Sequence, residues 1–205
     1  MNLIYLAPYT LPEGEKAHTY EHTLGRRLLS LGLKELFGLD VTPEWLDANI
    51  RTQKSGKPFI SGLPHIHYNI SHCAGMVACA FADSPVGVDV EKIRPVKDNL
   101  ITRVLTGDES AFLRRVSADE ASRAEWFTRF WTLKESYLKY TGAGLSGSLQ
   151  SVSFRFEEHF SENEPRITCS DPSVTLFEAP LPGGIILSAC TGSKEPFSLR
   201  SVSLP

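Results

Sequence analysis

Apolar positions in the first half of the chain follow two different periods. Residues 2–7 form a short apolar run that is typical of a strand, and residues 17–38 repeat leucine at helical spacing and end at Gly38. Residues 86–93, VGVDVEKI, alternate strictly between apolar and polar positions, as a half-buried strand does. The first half is therefore predicted to combine strands with one long helix.

The second half has the same two kinds of element in a different order. Residues 97–125 are charged and predict short helices, and residues 126–140 predict a long aromatic helix. Three later runs predict strands: residues 152–158, 173–179 and 183–190. Strands and helices that are grouped rather than regularly alternating predict an α+β fold. The irregular dipeptide Arg94-Pro95 predicts the crossover between an N-terminal lobe, 1–95, and a C-terminal lobe, 96–205.

Composition narrows the class of protein. The net charge of the 205 residues is −3, which argues against broad cationic binding of nucleic acid. The four cysteines form no C-x-x-C pair, so a cysteine zinc site is not expected. No run of 18 apolar residues and no convincing signal peptide are present, so we expect a cytoplasmic protein with no membrane partner.

Two carboxylates share one face of the predicted strand 86–93. Asp89 and Glu91 lie roughly 6.6 Å apart at about 3.3 Å per residue, opposite a valine face. Carboxylates this close repel each other unless a cation lies between them, and oxygen ligands suit Mg²⁺ shared with substrate phosphates. The alternative is an exposed strand face without a ligand.

Charged residues are embedded in the most aromatic helix. Trp131, Glu135 and Lys139 follow at i, i+4 and i+8, and aromatic residues cover most of the remaining surface. A solvated Glu135–Lys139 ion pair would account for the spacing but not for the apolar surroundings. Glu135 as a third oxygen ligand and Lys139 as a phosphate-binding cation account for both. Lys134 is predicted to be a second cation near the phosphates or a surface charge.

Two further segments carry groups that bind phosphate. YNISHC, residues 68–73, contains the hydrogen-bond donors Ser71 and His72, and QKSGKP places Lys54 and Lys57 around a glycine. The alternatives are a structural histidine and a solvated turn. A serine-hydrolase role for Ser71 and His72 is rejected, because adjacent side chains rarely face each other and no G-x-S-x-G motif is present.

Three motifs in this order, YNISHC, GVDVEKIRP and FWTLKESYLKYTGAGLS, resemble the two-lobed phosphopantetheinyl transferases of the surfactin-synthetase-activating type. SGKP, shortly before the first motif, fits the same family. The resemblance implies two similar α+β lobes in a pseudo-twofold arrangement, with the active site in the cleft between them. It also implies that the phosphopantetheine arm of coenzyme A is transferred to a serine of an apo acyl, peptidyl or polyketide carrier protein, with release of 3′,5′-ADP.

The resemblance assigns roles residue by residue. Asp89, Glu91 and Glu135 are implied as Mg²⁺ ligands, and Lys139 as the cation on the pyrophosphate. Glu135 is the candidate base for the carrier serine, directly or through a water molecule. Lys57, Ser71 and His72 are implied at the 3′-phosphate end of the coenzyme, and Lys54 is a further candidate to bind the coenzyme. A monomer is expected, since one chain of the family contains both halves of the site, and no nucleic-acid partner is expected.

One departure from the family pattern lies in the first helix. Family members often have an arginine there that binds the coenzyme, whereas Glu21 or His22 stands at the corresponding position. Lys16, Arg26 and Arg27 are candidates to compensate for it.

Two other classes of protein remain open. One is a relative that binds a carrier or coenzyme A without catalysis. The other is a metal-dependent nuclease, because D-x-E followed by E-x-x-x-K loosely imitates its core. The helical position of Glu135 and Lys139 and the acidic net charge both speak against the nuclease.

Overall fold

The computed structural model describes residues 1–144, 147–157 and 166–204. Its helices are α1 (Ala17–Phe37), α2 (Pro43–Asn49), α3 (Asp98–Val104), α4 (Gly107–Val116) and α5 (Glu120–Thr141). Its strands are β1 (Asn2–Pro8), β2 (Ile50–Thr52), β3 (Pro58–Ile60), β4 (His67–Cys73), β5 (Met76–Ala82), β6 (Val86–Lys92), β7 (Phe154–Phe156), β8 (Ile167–Cys169), β9 (Thr175–Leu181), β10 (Ile185–Thr191) and β11 (Phe197–Ser201).

The strands form two main sheets that pack face to face. The first has the order β11-β1-β5-β4 and the second β6-β10-β9, and two-stranded ladders join β2 to β3 and β7 to β8. A shared core of residues from β1, β5, β6 and β10 fills the space between the main sheets. Alternation along each strand then directs the intervening side chains to the outer faces.

Each main sheet carries one long helix on its outer face. Helix α1 buries four leucines against the first sheet, and its Gly32 faces the ring of Phe81 so closely that an added Cβ would lie 2.2 Å away. Helix α5 lies on the second sheet and also packs on α3, α4 and β7. The predicted α+β fold is confirmed, as two helix-on-sheet lobes.

Both long helices end at a glycine in the left-handed region. Gly38 follows α1 with φ 70°, and Gly142 follows α5 with φ 73°. The predicted ends of these helices are therefore correct. Helix α5 begins earlier than the predicted residue 126, because Asp119 and Ser122 form a capping box ahead of it.

Two strands pair within the sheet that the other half of the sequence mainly forms. Strand β6 precedes the predicted crossover at Arg94-Pro95 but pairs with β10 in the second sheet, and β11 near the C-terminus pairs in parallel with β1 in the first. The division at residue 95 stays a prediction about lobes, and the sheets themselves do not divide there.

Several predicted segments differ from the structure in their bounds. The strand predicted at 152–158 is observed only over Phe154–Phe156, and residue 158 lies outside the described residues, as do residues 145 and 146 of the third motif. Helix α2 and strands β8 and β11 are among the elements that were not predicted. No helix in the described part of the chain is both long enough and apolar enough to cross a bilayer.

Lys134 is a structural residue, and its predicted place near the phosphates or on the surface is wrong. Its side chain is 0% exposed, and its ammonium lies 2.9 Å from Glu109 Oε2. It also donates to the carbonyls of Leu149 (2.8 Å) and Val152 (2.6 Å), so all three N–H donors have acceptors. Burial is tolerated because the charge is paired and fully hydrogen-bonded.

Candidate active site

A close contact between β6 and α5 positions the chemistry. A Cβ at Gly87 would lie 1.9 Å from Ser136 O and 2.4 Å from Tyr140 N, so only glycine permits this approach. Because side chains alternate along β6, Asp89 follows Gly87 on the face toward α5, while the valines enter the core between the sheets. The glycine of the second motif therefore brings the carboxylate against the helix that carries Lys139.

Lys139 and Asp89 form an ion pair across this contact. Lys139 Nζ lies 2.6 Å from Asp89 Oδ1 and donates to Val88 O and Ser71 Oγ, each at 3.1 Å. The lysine side chain is 29% exposed, whereas Asp89 is buried. The ammonium group therefore connects the buried carboxylate with the solvent side of the site.

Ser71 lies beside this ion pair. Its hydroxyl donates to Asp89 Oδ1 at 3.0 Å and accepts from Val90 N at 3.3 Å. Asn69, two residues earlier on β4, accepts from Val88 N at 2.8 Å. Both side chains join β4 of the first sheet to β6 of the second sheet. The structure thus gives Ser71 a role in fixing Asp89, and its predicted contact with a coenzyme phosphate stays a prediction.

The acidic cluster, Asp89, Glu91 and Glu135, concentrates negative charge. Burial, followed by the charge of Asp89, raises the pKa of Glu91 and the pKa of Glu135. Lys139 opposes both shifts, and Arg94 opposes that of Glu91. Carboxylates that raise one another's pKa are stabilised by a bound cation.

The donor set of the cluster fits Mg²⁺. All its ligand atoms are carboxylate oxygens, and Asp89 Oδ2 is buried without a hydrogen-bond partner. A buried carboxylate oxygen with no donor is uncommon and is satisfied by a cation. As the described side chains stand, no three His, Cys, Asp or Glu residues are arranged to hold a metal. The three ligands therefore stay a prediction that Asp89 Oδ2 supports.

A cavity of about 810 Å³ opens beside the ion pair, between the lobes. Its volume is in the range of sites that hold a nucleotide-sized ligand. Four predicted residues line it: Lys54, Lys57, His72 and Lys139. Lys57 Nζ donates to Tyr140 O at 2.7 Å, and burial lowers the pKa of Lys57 to about 8. The cavity wall thus carries lysines from α5 and the β2–β3 segment and a histidine from β4.

Helix α1 adds further residues to the cavity, among them Arg26, one of the three cations predicted to compensate for the missing arginine. His18, His22 and Arg26 line the same cavity, as does Glu21. Arg26 Nε also lies 2.6 Å from Asp47 Oδ1. Only His18 was not named from the sequence, and its place at i, i+4 and i+8 with His22 and Arg26 on one helix face was the signal that could have found it.

The segment that forms this site matches a known protein family. A sequence model of the 4'-phosphopantetheinyl transferase superfamily matches residues 85–180, which include β6, α5 and the acidic cluster. The chain belongs to this superfamily.

Individual relatives are transferases of that name. The chain is 34% identical over 143 residues to 4'-phosphopantetheinyl transferase Sfp of Bacillus subtilis (strain 168), covering 70% of this chain and 61% of that protein. It is 32% identical over 170 residues to 4'-phosphopantetheinyl transferase HetI of Nostoc sp., covering 78% and 66%. The chain thus spans about three fifths of the first curated relatives' length.

One solved structure shows a weaker likeness. The crystal structure of Thermotoga maritima holo-(acyl-carrier-protein) synthase matches with a TM-score of 0.39 and 21% identity, covering 52% of this chain and 61% of that one. A TM-score this low says nothing further about the site.

Proposed function

We propose that this protein transfers the 4'-phosphopantetheine arm of coenzyme A to a serine of an apo acyl, peptidyl or polyketide carrier protein, releasing 3',5'-ADP. The observation that carries the proposal is the Asp89–Lys139 pair, which has an unpartnered carboxylate oxygen and borders a cation-lined cavity of nucleotide size. The similarity to named transferases supports the same reaction.

The cavity and the acidic cluster are proposed to bind different parts of coenzyme A. Lys54, Lys57 and His72 are proposed to bind the phosphates of its adenosine end, and Lys139 the pyrophosphate. Asp89, Glu91 and Glu135 would hold Mg²⁺, which supplies positive charge to the pyrophosphate oxygens when bound.

Transfer exchanges one P–O bond for another. The carrier serine Oγ attacks the phosphorus that bears the pantetheine arm, and the bond from that phosphorus to the bridging oxygen breaks. The electron pair leaves with 3',5'-ADP, whose developing charge Lys139 stabilises. The serine proton passes to Glu135, directly or through a water molecule, and the burial that raises the pKa of Glu135 suits it to accept a proton.

We further propose a monomer that acts in the cytoplasm. One chain supplies both walls of the cavity, from α1 and β4 on one side and α5 on the other. All four cysteines are free, as is usual in a reducing compartment.

The proposal is tested by intact-mass spectrometry of apo carrier proteins incubated with this protein, coenzyme A and Mg²⁺. We expect the carrier to gain one phosphopantetheine arm, with a stoichiometric release of 3',5'-ADP, and EDTA to prevent the gain. Asp89→Ala is expected to abolish transfer, whereas Asp40→Ala, which removes an exposed carboxylate paired with Lys34, leaves transfer unchanged.

Two negative outcomes have different meanings. If fatty-acid, peptide-synthetase and polyketide carriers all stay unmodified while coenzyme A binds in calorimetry, the protein is a non-catalytic binder. If coenzyme A does not bind, the assignment of the cavity is wrong as well.

A further inference from the structure

A carboxylate lies in the wall of the cavity that is proposed to hold a polyanion. Glu21 is the only Asp or Glu among the described residues that line it. Seven other lining residues are cationic or can become so: His18, His22, Arg26, Lys54, Lys57, His72 and Lys139. A negative charge at this position repels phosphate, so its presence requires a physical reason.

Both oxygens of Glu21 are engaged by donors. Tyr9 donates its hydroxyl proton to Oε1, and His72 Nδ1 lies 3.0 Å from Oε2. Burial, and then the hydrogen bond to Glu21, raise the pKa of Tyr9 to about 12, so the phenol keeps its proton. Glu21 is itself buried. The Glu21 carboxylate is therefore fixed by Tyr9, which follows β1, and in turn fixes the imidazole of His72 on β4.

This contact fixes which nitrogen of His72 carries the proton. An ionised carboxylate only accepts hydrogen bonds, so the nitrogen facing it, Nδ1, bears the hydrogen. In the neutral ring the other nitrogen, Nε2, then presents a lone pair. A phosphate oxygen is also an acceptor, so Nε2 can bind it only after the ring is protonated.

We propose that Glu21 is a positioning residue that commits Nδ1 of His72, so that His72 contacts a phosphate of coenzyme A only as an imidazolium and coenzyme binding takes up a proton. This inference rests on the proposed function of the cavity. It gives the departure from the family pattern in α1 a physical role, because the carboxylate balances the charge that His72 gains.

The charged groups that face the cavity influence the protonation of His72. His18, His22 and Arg26 from α1, Lys54 and Lys57 from the β2–β3 segment, and Lys139 from α5 repel a further positive charge before the ligand is present. Glu21 and the incoming phosphates attract one. The arriving polyanion therefore supplies negative charge that favours a protonated His72.

The test is calorimetric titration of coenzyme A into the full chain at pH 7.5 in two buffers with different ionisation enthalpies, which counts the protons taken up. We expect Glu21→Gln to take up about one proton fewer than the wild type. If binding takes up one proton, wild-type affinity for coenzyme A falls about tenfold for each unit by which the pH rises. Glu21→Gln should show a smaller slope.

Glu35→Gln is the matched control. Glu35 lies on the same helix and also pairs with a tyrosine hydroxyl (Tyr5, 2.7 Å) and a cation (Arg200, 2.5 Å), but it does not line the cavity. Proton uptake by this variant should equal that of the wild type. A ¹⁵N spectrum of the wild-type imidazoles needs no variant, and it should place the hydrogen of neutral His72 on Nδ1.

Two results overturn the inference: equal proton uptake by the wild type and Glu21→Gln, or a neutral His72 with its hydrogen on Nε2. A wild type that does not bind coenzyme A contradicts the proposed function instead, and the nitrogen spectrum still tests the role of Glu21. The two failures are therefore distinguishable.

Discussion

Gly87→Ala tests whether the β6–α5 contact creates the site. The added Cβ would lie 1.9 Å from Ser136 O, 2.4 Å from Tyr140 N and 3.0 Å from Lys139 C. These are backbone atoms of α5, so no side-chain rotation relieves the clash. Since uncrowded non-bonded contacts begin near 3.5 Å, the helix and the strand must separate by about 1.5 Å.

The separation has an energetic and a catalytic consequence. Overpacking a buried contact costs about 1–3 kcal/mol, and the backbone partners place this case at the upper end. In a chain of this size, 3 kcal/mol lowers the melting temperature by about 6–12 °C. The 2.6 Å contact between Lys139 and Asp89 spans the same interface, and misplacement by about 1 Å costs about 100-fold in rate.

Gly107→Ala is the matched control for this prediction. Gly107 begins α4, and an added Cβ there meets nothing within 4 Å. Alanine is the better helix former, so the free energy of unfolding should be unchanged or raised by up to about 1 kcal/mol. Thermal unfolding followed by circular dichroism, together with the carrier mass assay, gives both readouts. A Gly87→Ala protein whose free energy of unfolding lies within about 0.5 kcal/mol of the wild type would show that β6 and α5 do not need this close approach.

Three other changes probe residues on α5 or in contact with it. Lys134→Met breaks the buried pair with Glu109 and is expected to lower the free energy of unfolding by about 3–5 kcal/mol in denaturant titrations; an unchanged midpoint would contradict its structural role. Ser71→Ala removes the hydroxyl between the acidic cluster and its lysine, and transfer is expected to slow about 10–100-fold while the melting temperature changes little; equal rates would show that this hydroxyl fixes nothing. Glu178, fully buried beside Arg129 at 3.4 Å, has its pKa raised to about 7, chiefly by burial. The folded protein therefore holds a proton that the unfolded chain loses near pH 4.5, and wild-type stability relative to Glu178→Gln should fall by about 3 kcal/mol as pH rises from 4.5 to 7. Parallel pH profiles of unfolding for these two proteins would contradict the shift.

Local patterns predicted those parts of the fold that depend on local forces. Alternation in residues 86–93 fixed the strand and the face on which Asp89 lies, and leucine spacing with a terminal glycine fixed α1. The pairing of β6 with β10, and of β11 with β1, could not be predicted in this way. Which strand pairs with which depends on contacts between distant residues, and the register of an apolar strand such as β10 fits several neighbours.

In the site, too, local patterns predicted some residues, whereas contacts between distant residues could not be predicted. Lys54, Lys57, His72 and Lys139 were predicted from motifs, and the structure brings all four to one cavity. The contact of Glu21 with His72 joins α1 to β4 across about fifty residues of chain and leaves no local pattern. A side chain whose role depends on a partner from another element becomes visible only when the packing of those elements is known.

The two lysines of α5 show what distinguishes a structural charge from a chemical one. Lys134 and Lys139 are five residues apart, which places them about 140° apart around the helix at 3.6 residues per turn. The sequence motifs assigned Lys139 to the pyrophosphate but did not place Lys134, because aromatic residues surround both lysines.

Hydrogen bonding separates the two lysines. Glu109, the partner of Lys134, accepts from Phe154 N through Oε1 (2.9 Å) and from Thr106 N through Oε2 (2.8 Å), so neither oxygen lacks a donor. Asp89, the partner of Lys139, leaves Oδ2 buried and without a donor. A fully satisfied buried pair gains nothing from a ligand, whereas an unsatisfied carboxylate is stabilised by a cation. The unsatisfied oxygen therefore supports the proposed site beside Lys139, and Lys134 secures the helix on its other side.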